Sequence, residues 1–388
     1  MKFYPLNQKI GIIGGGQLGK MMILEAKKLG CYVVILDPTK DCPASSICDE
    51  HIVANFSDRE AIHSLAKKCD VITYEFEHID YNCLMELENL GHKIYPSPKS
   101  LKIIQNKFTQ KTVLKDNNIN VPDFCLVEST QDIKNVAKNF SYPMVLKSCT
   151  GGYDGKGNYV IKCEEDIEKG FNMLNPNLDI PLMVEKFINF DMEVSVLACG
   201  GLNNDIKVYP VGNNIHIDNI LHKTIVPANI SEESKKKAIG IAHNIINIFN
   251  GVGMFCVEFF VTKDGDVLVN EIAPRPHNSG HYTIEGCVTS QFENHIRAIL
   301  GLPLGSTSLL NPTIMINLLG EDGHKGDTLV KGLEEALNID NVFVHIYGKQ
   351  QTIPKRKMGH LTCSMLSLEQ AEKNATKAYD YIKFISKN

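Results

Sequence analysis

The stretch Met254-Phe-Cys-Val-Glu-Phe-Phe-Val-Thr-Lys-Asp-Gly-Asp-Val-Leu-Val-Asn-Glu-Ile-Ala-Pro-Arg-Pro276 carries two β-rich runs on either side of Asp264-Gly265. An Asp-Gly pair in that setting is a strong hairpin signal. With Asp264 and Gly265 as a two-residue loop, Lys263 faces Asp266, and counting outward sets Glu258 opposite Glu271. Directly opposed residues hold their Cβ atoms roughly 4.5 to 5.5 Å apart, where like charges repel. Alternation puts Cys256, Phe260, Val267, Val269 and Ala273 on the glutamates' face, and Phe255, Val257, Phe259, Val261, Leu268 and Ile272 on the other, so both faces are apolar. A carboxylate among apolar neighbours must be protonated, paired or metal-bound. Magnesium is the best answer, because it takes one or two carboxylates and completes its shell with water and substrate phosphates. Manganese is the alternative ion, and Asn270 offers a further oxygen. Two rival readings stand beside this one: a pair of solvated surface glutamates, and a register slipped by one residue.

The chain of 388 residues has length for two or three domains, and its net charge of -5 points to neither a nucleic-acid nor a membrane surface. Met1 to Lys9 has no apolar signal core, and no apolar run reaches the ~20 residues of a membrane span. The expectation is a cytoplasmic protein. Its 12 cysteines are scattered from Cys31 to Cys363 with no Cys-x-x-Cys, a pattern of reduced, mostly buried thiols.

Lys9 to Gly15 is an apolar strand and Gln17 to Gly30 a helix. Further strands at Tyr32 to Asp37, Val71 to Phe76 and Lys93 to Tyr95 alternate with helical patterns, which indicates an α/β unit on a parallel sheet. Gly14-Gly-Gly-Gln-Leu-Gly19 fits G-x-G-x-x-G between strand and helix, and Asp37 closes the next strand. Alone, that is the dinucleotide fingerprint, and an NAD-dependent oxidoreductase is a real rival. The physics is narrower: a glycine turn opening onto a helix N-terminus holds an anion. Glu75, at the end of the third strand, has the chemistry to accept a bond from a ribose hydroxyl, and an exposed strand-end glutamate is the plain alternative.

Pro96 and Pro98 mark a boundary, followed by a helical stretch from Lys99 to Asn117. Lys147 then ends the apolar strand Tyr142-Pro-Met-Val-Leu-Lys147, where an anion partner would hold it. Gly151-Gly-Tyr-Asp-Gly-Lys-Gly157 is a loop whose amides can approach a phosphate closely, although no G-K-[ST] makes it a Walker loop. Strand Pro181 to Phe187 carries Glu185 and Lys186. A ribbon of Asp191 to Cys199 and Asp205 to Val211 follows, and then the helix Ser231 to Phe249 capped by Ser231. After the hairpin come a strand at Thr313 to Leu319, an amphipathic stretch at Leu329 to Leu337, strands near Phe343 to Gly348 and Leu361 to Met365, and a last helix from Leu368.

A strand lysine, a glycine-rich phosphate loop, a Glu-Lys strand and a paired-glutamate hairpin ending in Asn-Glu resemble the ATP-grasp fold. Within it, Gly14-Gly-Gly-Gln-Leu-Gly19, Gly151-Gly-Tyr-Asp-Gly-Lys-Gly157, Asn270-Glu-Ile-Ala-Pro-Arg-Pro-His-Asn-Ser-Gly-His281 and Arg356-Lys-Met-Gly-His360 resemble the 5-(carboxyamino)imidazole ribonucleotide synthases, from Lys9 to His360. The resemblance implies an α/β chain with an N-terminal Rossmann-like (pre-ATP-grasp) domain at 1–106. It places a small lid domain with the glycine-rich loop at 107–190, and a large domain with the metal site and a small C-terminal β-rich subdomain at 191–388. It also implies an ATP-dependent ligase of purine biosynthesis that joins bicarbonate to 5-aminoimidazole ribonucleotide, as a cytoplasmic homodimer with no nucleic-acid or membrane partner.

By the same likeness, ATP is held by Lys107, Lys147, Gly152, Tyr153, Asp154, Gly155, Lys156, Gly157 and Asn158 at its phosphates. Glu185, Lys186, Phe187 and Ile188 hold its adenine, and Glu193 its ribose with His216 nearby. Asn270 and Glu271 close that site, and Glu258 with Glu271 binds the metal. The ribonucleotide lies near Gln17, Leu18, Glu75 and Glu77, reached by Tyr153, Asp154, Arg275, His277, Asn278, Ser279, Lys349 and Arg356. Asp154 accepts the substrate's proton and Arg275 orients bicarbonate, with Tyr153 and Lys147 at the same reacting centre. The family's usual R-P-G-R-K-M-G-H reads Ile353-Pro-Lys-Arg-Lys-Met-Gly-His360 here, so one basic contact shifts or is missing. A formate-using glycinamide ribonucleotide transformylase and a non-catalytic nucleotide sensor are the remaining alternatives.

Overall fold

The computed structural model describes residues 4, 5, 7–152 and 157–387. The chain begins with β1 (Lys9–Ile13), α1 (Gln17–Lys28), β2 (Tyr32–Leu36), β3 (Glu50–Ile52), α2 (Arg59–Lys68), β4 (Val71–Tyr74) and α3 (Tyr81–Asn89). The four strands form a parallel sheet in the order β3-β2-β1-β4. Lys93 to Tyr95, expected as a strand, contributes only a parallel bridge from Ile94 to Ile72. The sheet is buried on both faces, as parallel sheets are. Ile10, Ile12, Val33 and Ile35 pack on the side of α1, and Ile13, Val34 and Leu36 on the side of α2 and α3.

The helical stretch expected from Lys99 to Asn117 is two helices, α4 (Pro98–Gln105) and α5 (Lys107–Asp116). Asn106 leaves helical geometry at φ -109°, ψ 109°, and its side chain accepts from Thr109 N at 2.9 Å, capping α5. Asparagine favours that position because its short amide competes with the helix for backbone groups. The break turns Lys107 and Lys111 away from the line of α4.

A second, antiparallel sheet follows in the order β5-β8-β6-β7. It consists of β5 (Phe124–Val127), β6 (Met144–Ser148), β7 (Asn158–Ile161) and β8 (Leu182–Lys186), with α6 (Thr130–Phe140) and α7 (Asp166–Leu174). Met144, Leu146, Leu182 and Val184 pack under the helices. Alternation sends Val145, Lys147 and Glu185 to the opposite face.

The large sheet is built from β9 (Phe190–Gly200), β10 (Ile206–Val208), β11 (Gly212–Ile217), β12 (Ile220–Val226), then, after α8 (Glu232–Phe249), β13 (Gly253–Thr262) and β14 (Val267–Ala273). Past α9 (Thr283–Gly286) and α10 (Gln291–Ile299), the C-terminal strands β15 (Thr313–Leu319), β17 (Val342–Ile346) and β19 (Lys357–Ser364) extend it. The order is β14-β13-β9-β11-β12-β15-β19-β17, with β10 on β9. Strands β16 (Gly326–Lys331), β18 (Gln351–Thr352) and β20 (Lys383–Ser386) form a separate small sheet, and α11 (Leu333–Leu337) and α12 (Leu368–Tyr381) complete the chain. The amphipathic stretch read at Leu329 to Leu337 therefore divides at Gly332. Its φ is 75°, and an added Cβ would lie 2.0 Å from Tyr381 O, so the chain must leave the strand before the helix starts. Among the described residues no helix is long and apolar enough to cross a membrane.

Candidate active site

The β13–β14 hairpin sets the site. Its loop holds three residues rather than two: Gly265 N donates to Thr262 O and Thr262 N to Asp266 O, both at 3.0 Å, and Gly265 takes φ 82°. A three-residue loop with glycine in the left-handed position is a common hairpin closure. Thr262, not Lys263, therefore faces Asp266, one residue off the expected register. A bulge between Glu258 and Phe259 then consumes Asn270 as the extra residue, and Glu258 is paired with Glu271 as expected. The two offsets cancel at the glutamates but not before them. Val267 and Val269 join Phe259 and Val261 in the apolar core, against the expectation that they share the glutamates' face. The bulge also lets the consecutive side chains Asn270 and Glu271 both line one cleft, which is how bulges re-aim groups at active sites.

That cleft, about 810 Å³, is walled by the N-terminal unit, the lid-like second sheet and the large sheet. Lys107, in the first turn of α5, pairs with Glu271. Lys147 Nζ lies 2.6 Å from Glu185 Oε2 and donates to Asn270 Oδ1 at 3.3 Å. Burial opposes the charge on Glu185, but Lys111 and Lys147 outweigh it and hold its carboxyl down at about 2. The opposed glutamates divide. Burial and the neighbouring Glu271 charge push Glu258 up to about 7, whereas Lys107 overcomes burial and holds Glu271 below the usual carboxylate range. His277 Nε2 stands 3.6 Å from Glu258 Oε1; burial and Arg275 keep its imidazole neutral. His216 Nδ1 is 2.9 Å from Glu193 Oε2, a contact that raises the His216 pKa against its burial. Arg275 reaches across to the N-terminal unit, 2.8 Å from Glu77 Oε1, and its buried Nε has no partner among the described residues.

Two opposed carboxylates beside Asn270, with open cleft before them, fit a hard divalent cation that shares its shell with phosphate oxygens and water. Among the described residues no cluster of three or more His, Cys, Asp or Glu side chains surrounds a point, so no all-protein cage competes with that arrangement.

Gln17, Leu18, Glu75, Glu77, Arg275, His277 and Asn278 line the cleft, as do Gly152, Asn158, Lys186, Phe187, Ile188, Glu193 and His216. Gly157 packs behind Gly152, where an added Cβ would meet Gly152 Cα at 2.7 Å. Tyr153, Asp154, Gly155 and Lys156 lie outside the described residues. Glu185 lines the cleft too, with its carboxylate held between the Lys111 and Lys147 ammonium groups. Ser279 is not in the wall. It is fully buried, with its hydroxyl shared among Ser195, His277 and Cys256, and it braces the turn behind Asn278. Lys349 and Arg356 do not line the cleft, although the Lys349 charge acts on Glu75 in its wall. Lys349 Nζ donates to Lys357 O and Arg356 to Gln351 O, each at 2.7 Å, while Lys357 is the basic residue of that motif lining the cleft. Lys355 holds φ 64°, a left-handed angle that glycine adopts more readily than lysine.

The glycine turn at the start of α1 does hold an anion, and it is the chain's own. Glu75 accepts from Gly16 N and Gly19 N, each at 2.6 Å, and Asp37 accepts from Gly15 N at 2.8 Å. The amides and the acidic group that a dinucleotide would use are bonded to one another, which removes the support for an oxidoreductase.

Lys111 was the residue that sequence reasoning missed. It sits one helical turn beyond Lys107 and forms an ion pair with Glu185 at 3.1 Å. The i, i+4 spacing of the two lysines was the available signal.

Three family models match in succession: a ribonucleotide synthetase preATP-grasp domain at residues 7–105, an ATP-grasp domain at 112–292 and a phosphoribosylaminoimidazole carboxylase C-terminal domain at 313–374. The chain is 44% identical over 355 residues to the N5-carboxyaminoimidazole ribonucleotide synthase of Bacillus subtilis, covering 91% of this chain and 90% of that one. It is similar in structure to the Thermotoga maritima N5-carboxyaminoimidazole ribonucleotide synthetase, with a TM-score of 0.89 and 48% identity over 98% of this chain and 100% of that one. The Aspergillus clavatus N5-carboxyaminoimidazole synthase, solved with ADP and 5-aminoimidazole ribonucleotide, gives a TM-score of 0.89 at 36% identity, covering 96% of this chain and 98% of that one.

Proposed function

This chain belongs to the N5-carboxyaminoimidazole ribonucleotide synthase family of ATP-grasp enzymes, and from that premise we propose that it carboxylates the amine of 5-aminoimidazole ribonucleotide in purine biosynthesis. ATP and bicarbonate are consumed, and ADP and phosphate are released. The observation that carries the reading is the opposition of Glu258 and Glu271 at the foot of a cleft furnished with Lys107 and Lys147. Residues 1–106 take the ribonucleotide, 107–190 close over the nucleotide, and 191–388 carry the acidic pair. A cytoplasmic homodimer belongs to the same reading on the strength of the family resemblance.

Bicarbonate is a poor electrophile, so one of its oxygens attacks the γ-phosphorus of ATP, ADP leaves, and a short-lived carboxyphosphate results. Such a transfer needs positioning and charge neutralisation more than covalent help. Lys147 and Lys107 bring positive charge to the phosphates, and the amides at Gly152 and Asn158 border them. Glu258 and Glu271 would hold magnesium or manganese, which supplies further neutralisation of the transferring group. Arg275, fixed by Glu77, orients bicarbonate, with neutral His277 beside it. The substrate amine then forms its bond to the carboxyl carbon as phosphate leaves, and its proton passes to a base, a role we assign to Asp154. Water would destroy the mixed anhydride, so closure of the cleft precedes chemistry.

The test is ADP release in the presence of bicarbonate, comparing 5-aminoimidazole ribonucleotide with glycinamide ribonucleotide plus formate. Turnover with the first substrate alone is expected. Turnover only with the second would move the chain to another ATP-grasp ligase, and nucleotide binding without ADP release would make it a sensor.

A further inference from the structure

Lys111 and its partner Glu185 are both deeply enclosed charges, each with 2% of its side chain exposed. The Lys111 Nζ donates to Asn270 O at 3.0 Å and to Val269 O at 3.4 Å, the carbonyls of the bulged strand β14. The same Nζ lies 3.1 Å from Glu185 Oε1, on the strand that pairs with the one bearing Lys147. Burial opposes the Lys111 charge, and the Glu185 carboxylate beside it favours that charge. Glu185 therefore carries one negative charge between two positive ones. If Lys111 were absent, Lys147 and Glu185 would form a neutral one-to-one pair. With Lys111 present, one unit of positive charge is left over, and because Lys147 and Glu185 both line the cleft while Lys111 does not, that surplus is presented there.

We propose that Lys111 is a positioning residue of the phosphoryl-transfer site: by serving as the fixed counter-ion of Glu185, it leaves the Lys147 charge available to the nucleotide's phosphates. The role needs a buried, immobile cation. The bonds to the β14 carbonyls supply the immobility, and they tie the strand bearing Asn270 and Glu271 to the strand bearing Glu185. Breaking a buried pair by removing one partner shifts the burden to whichever charge remains nearby, and that charge is Lys147.

The inference rests on the nucleotide-site reading above, and one titration series separates the two. Full-length wild type, Lys111→Met and the double variant Lys111→Met/Glu185→Gln are titrated calorimetrically with magnesium ADP and with adenosine. The single variant is expected to bind magnesium ADP at least fivefold more weakly while adenosine affinity changes less than twofold, because only phosphates feel the lost charge. The double variant, in which Lys147 again has no carboxylate to neutralise it and keeps its bond to Asn270, is expected within threefold of wild type for ADP. An ADP loss below fivefold in the single variant, an equal loss for adenosine, or no recovery in the double variant overturns the inference. If the single variant does not fold, the double is read alone, and ADP binding weaker than threefold below wild type overturns it. Failure of the wild type to bind magnesium ADP overturns the nucleotide-site reading as well.

Discussion

Glu258 and Glu271 repel each other across a hairpin, and the chain relieves only half of that strain by giving Lys107 to Glu271. On the proposed reading, a divalent ion arriving with phosphates would complete the neutralisation. Glu271→Gln would then remove one proposed ligand and the Lys107 partner together. Turnover in steady-state ADP release should fall about 100-fold or more, the usual scale for losing a transition-state electrostatic contact, while affinity for 5-aminoimidazole ribonucleotide barely changes. Near wild-type turnover would sink the metal assignment. The pair was legible in the sequence because Asp264-Gly265 announces a turn, although the count succeeded only because a longer loop and a bulge offset each other. Lys111 left only its i, i+4 spacing from Lys107 as a signal, and that spacing does not distinguish a buried lysine from a solvated one on a helix.

At the scale of elements, the break between α4 and α5 matters most. The cap at Asn106 starts α5 on a new line, from which Lys107 pairs with Glu271 in the cleft wall and Lys111 with Glu185. Asn106→Ala should cost about 1 kcal/mol of stability in urea unfolding, the typical worth of an N-cap, and Asn106→Gly only a few tenths. Equal losses for both would show that the cap bond is not what holds the break. Sequence periodicity missed it because both halves are good helix and only the Asn106 side chain, bonding forward, decides where one stops. The strands were easier: the apolar runs of β1, β2 and β4 and the alternation in β13 are determined locally. Val267 and Val269 were misplaced because a bulge changes the facing of everything beyond it.

Across the whole molecule, the N-terminal unit is joined to the large sheet through His295. Its Nδ1 accepts from Met254 N at 3.0 Å, so Nε2 carries the proton and donates to Thr73 Oγ1 at 2.8 Å. Burial lowers the His295 pKa to about 3, below the ~6.5 of an unfolded imidazole. Between those values the unfolded chain takes a proton that the native chain refuses, so stability is lost as pH falls below 6.5, by up to about 1.4 kcal/mol per pH unit. His281 and His360, also held neutral by burial, act with the same sign. Chemical unfolding at pH 7, 6 and 5 should show this slope, and His295→Gln should flatten it by about one proton's share; an unchanged slope would contradict it. How the three units surround one cleft was not legible from periodicity, because long-range packing leaves no local pattern, and it entered only through the motif resemblance.

On the proposed mechanism, the acidic pair and its lysines make ATP phosphorylate bicarbonate inside that cleft. Bicarbonate labelled with heavy oxygen, supplied with ATP and 5-aminoimidazole ribonucleotide, tests it directly by mass analysis of the released phosphate. One labelled oxygen in each phosphate is the predicted result, since bicarbonate's own oxygen remains on phosphorus when the carbon is transferred. Unlabelled phosphate released while the carboxylated product still forms would contradict the account.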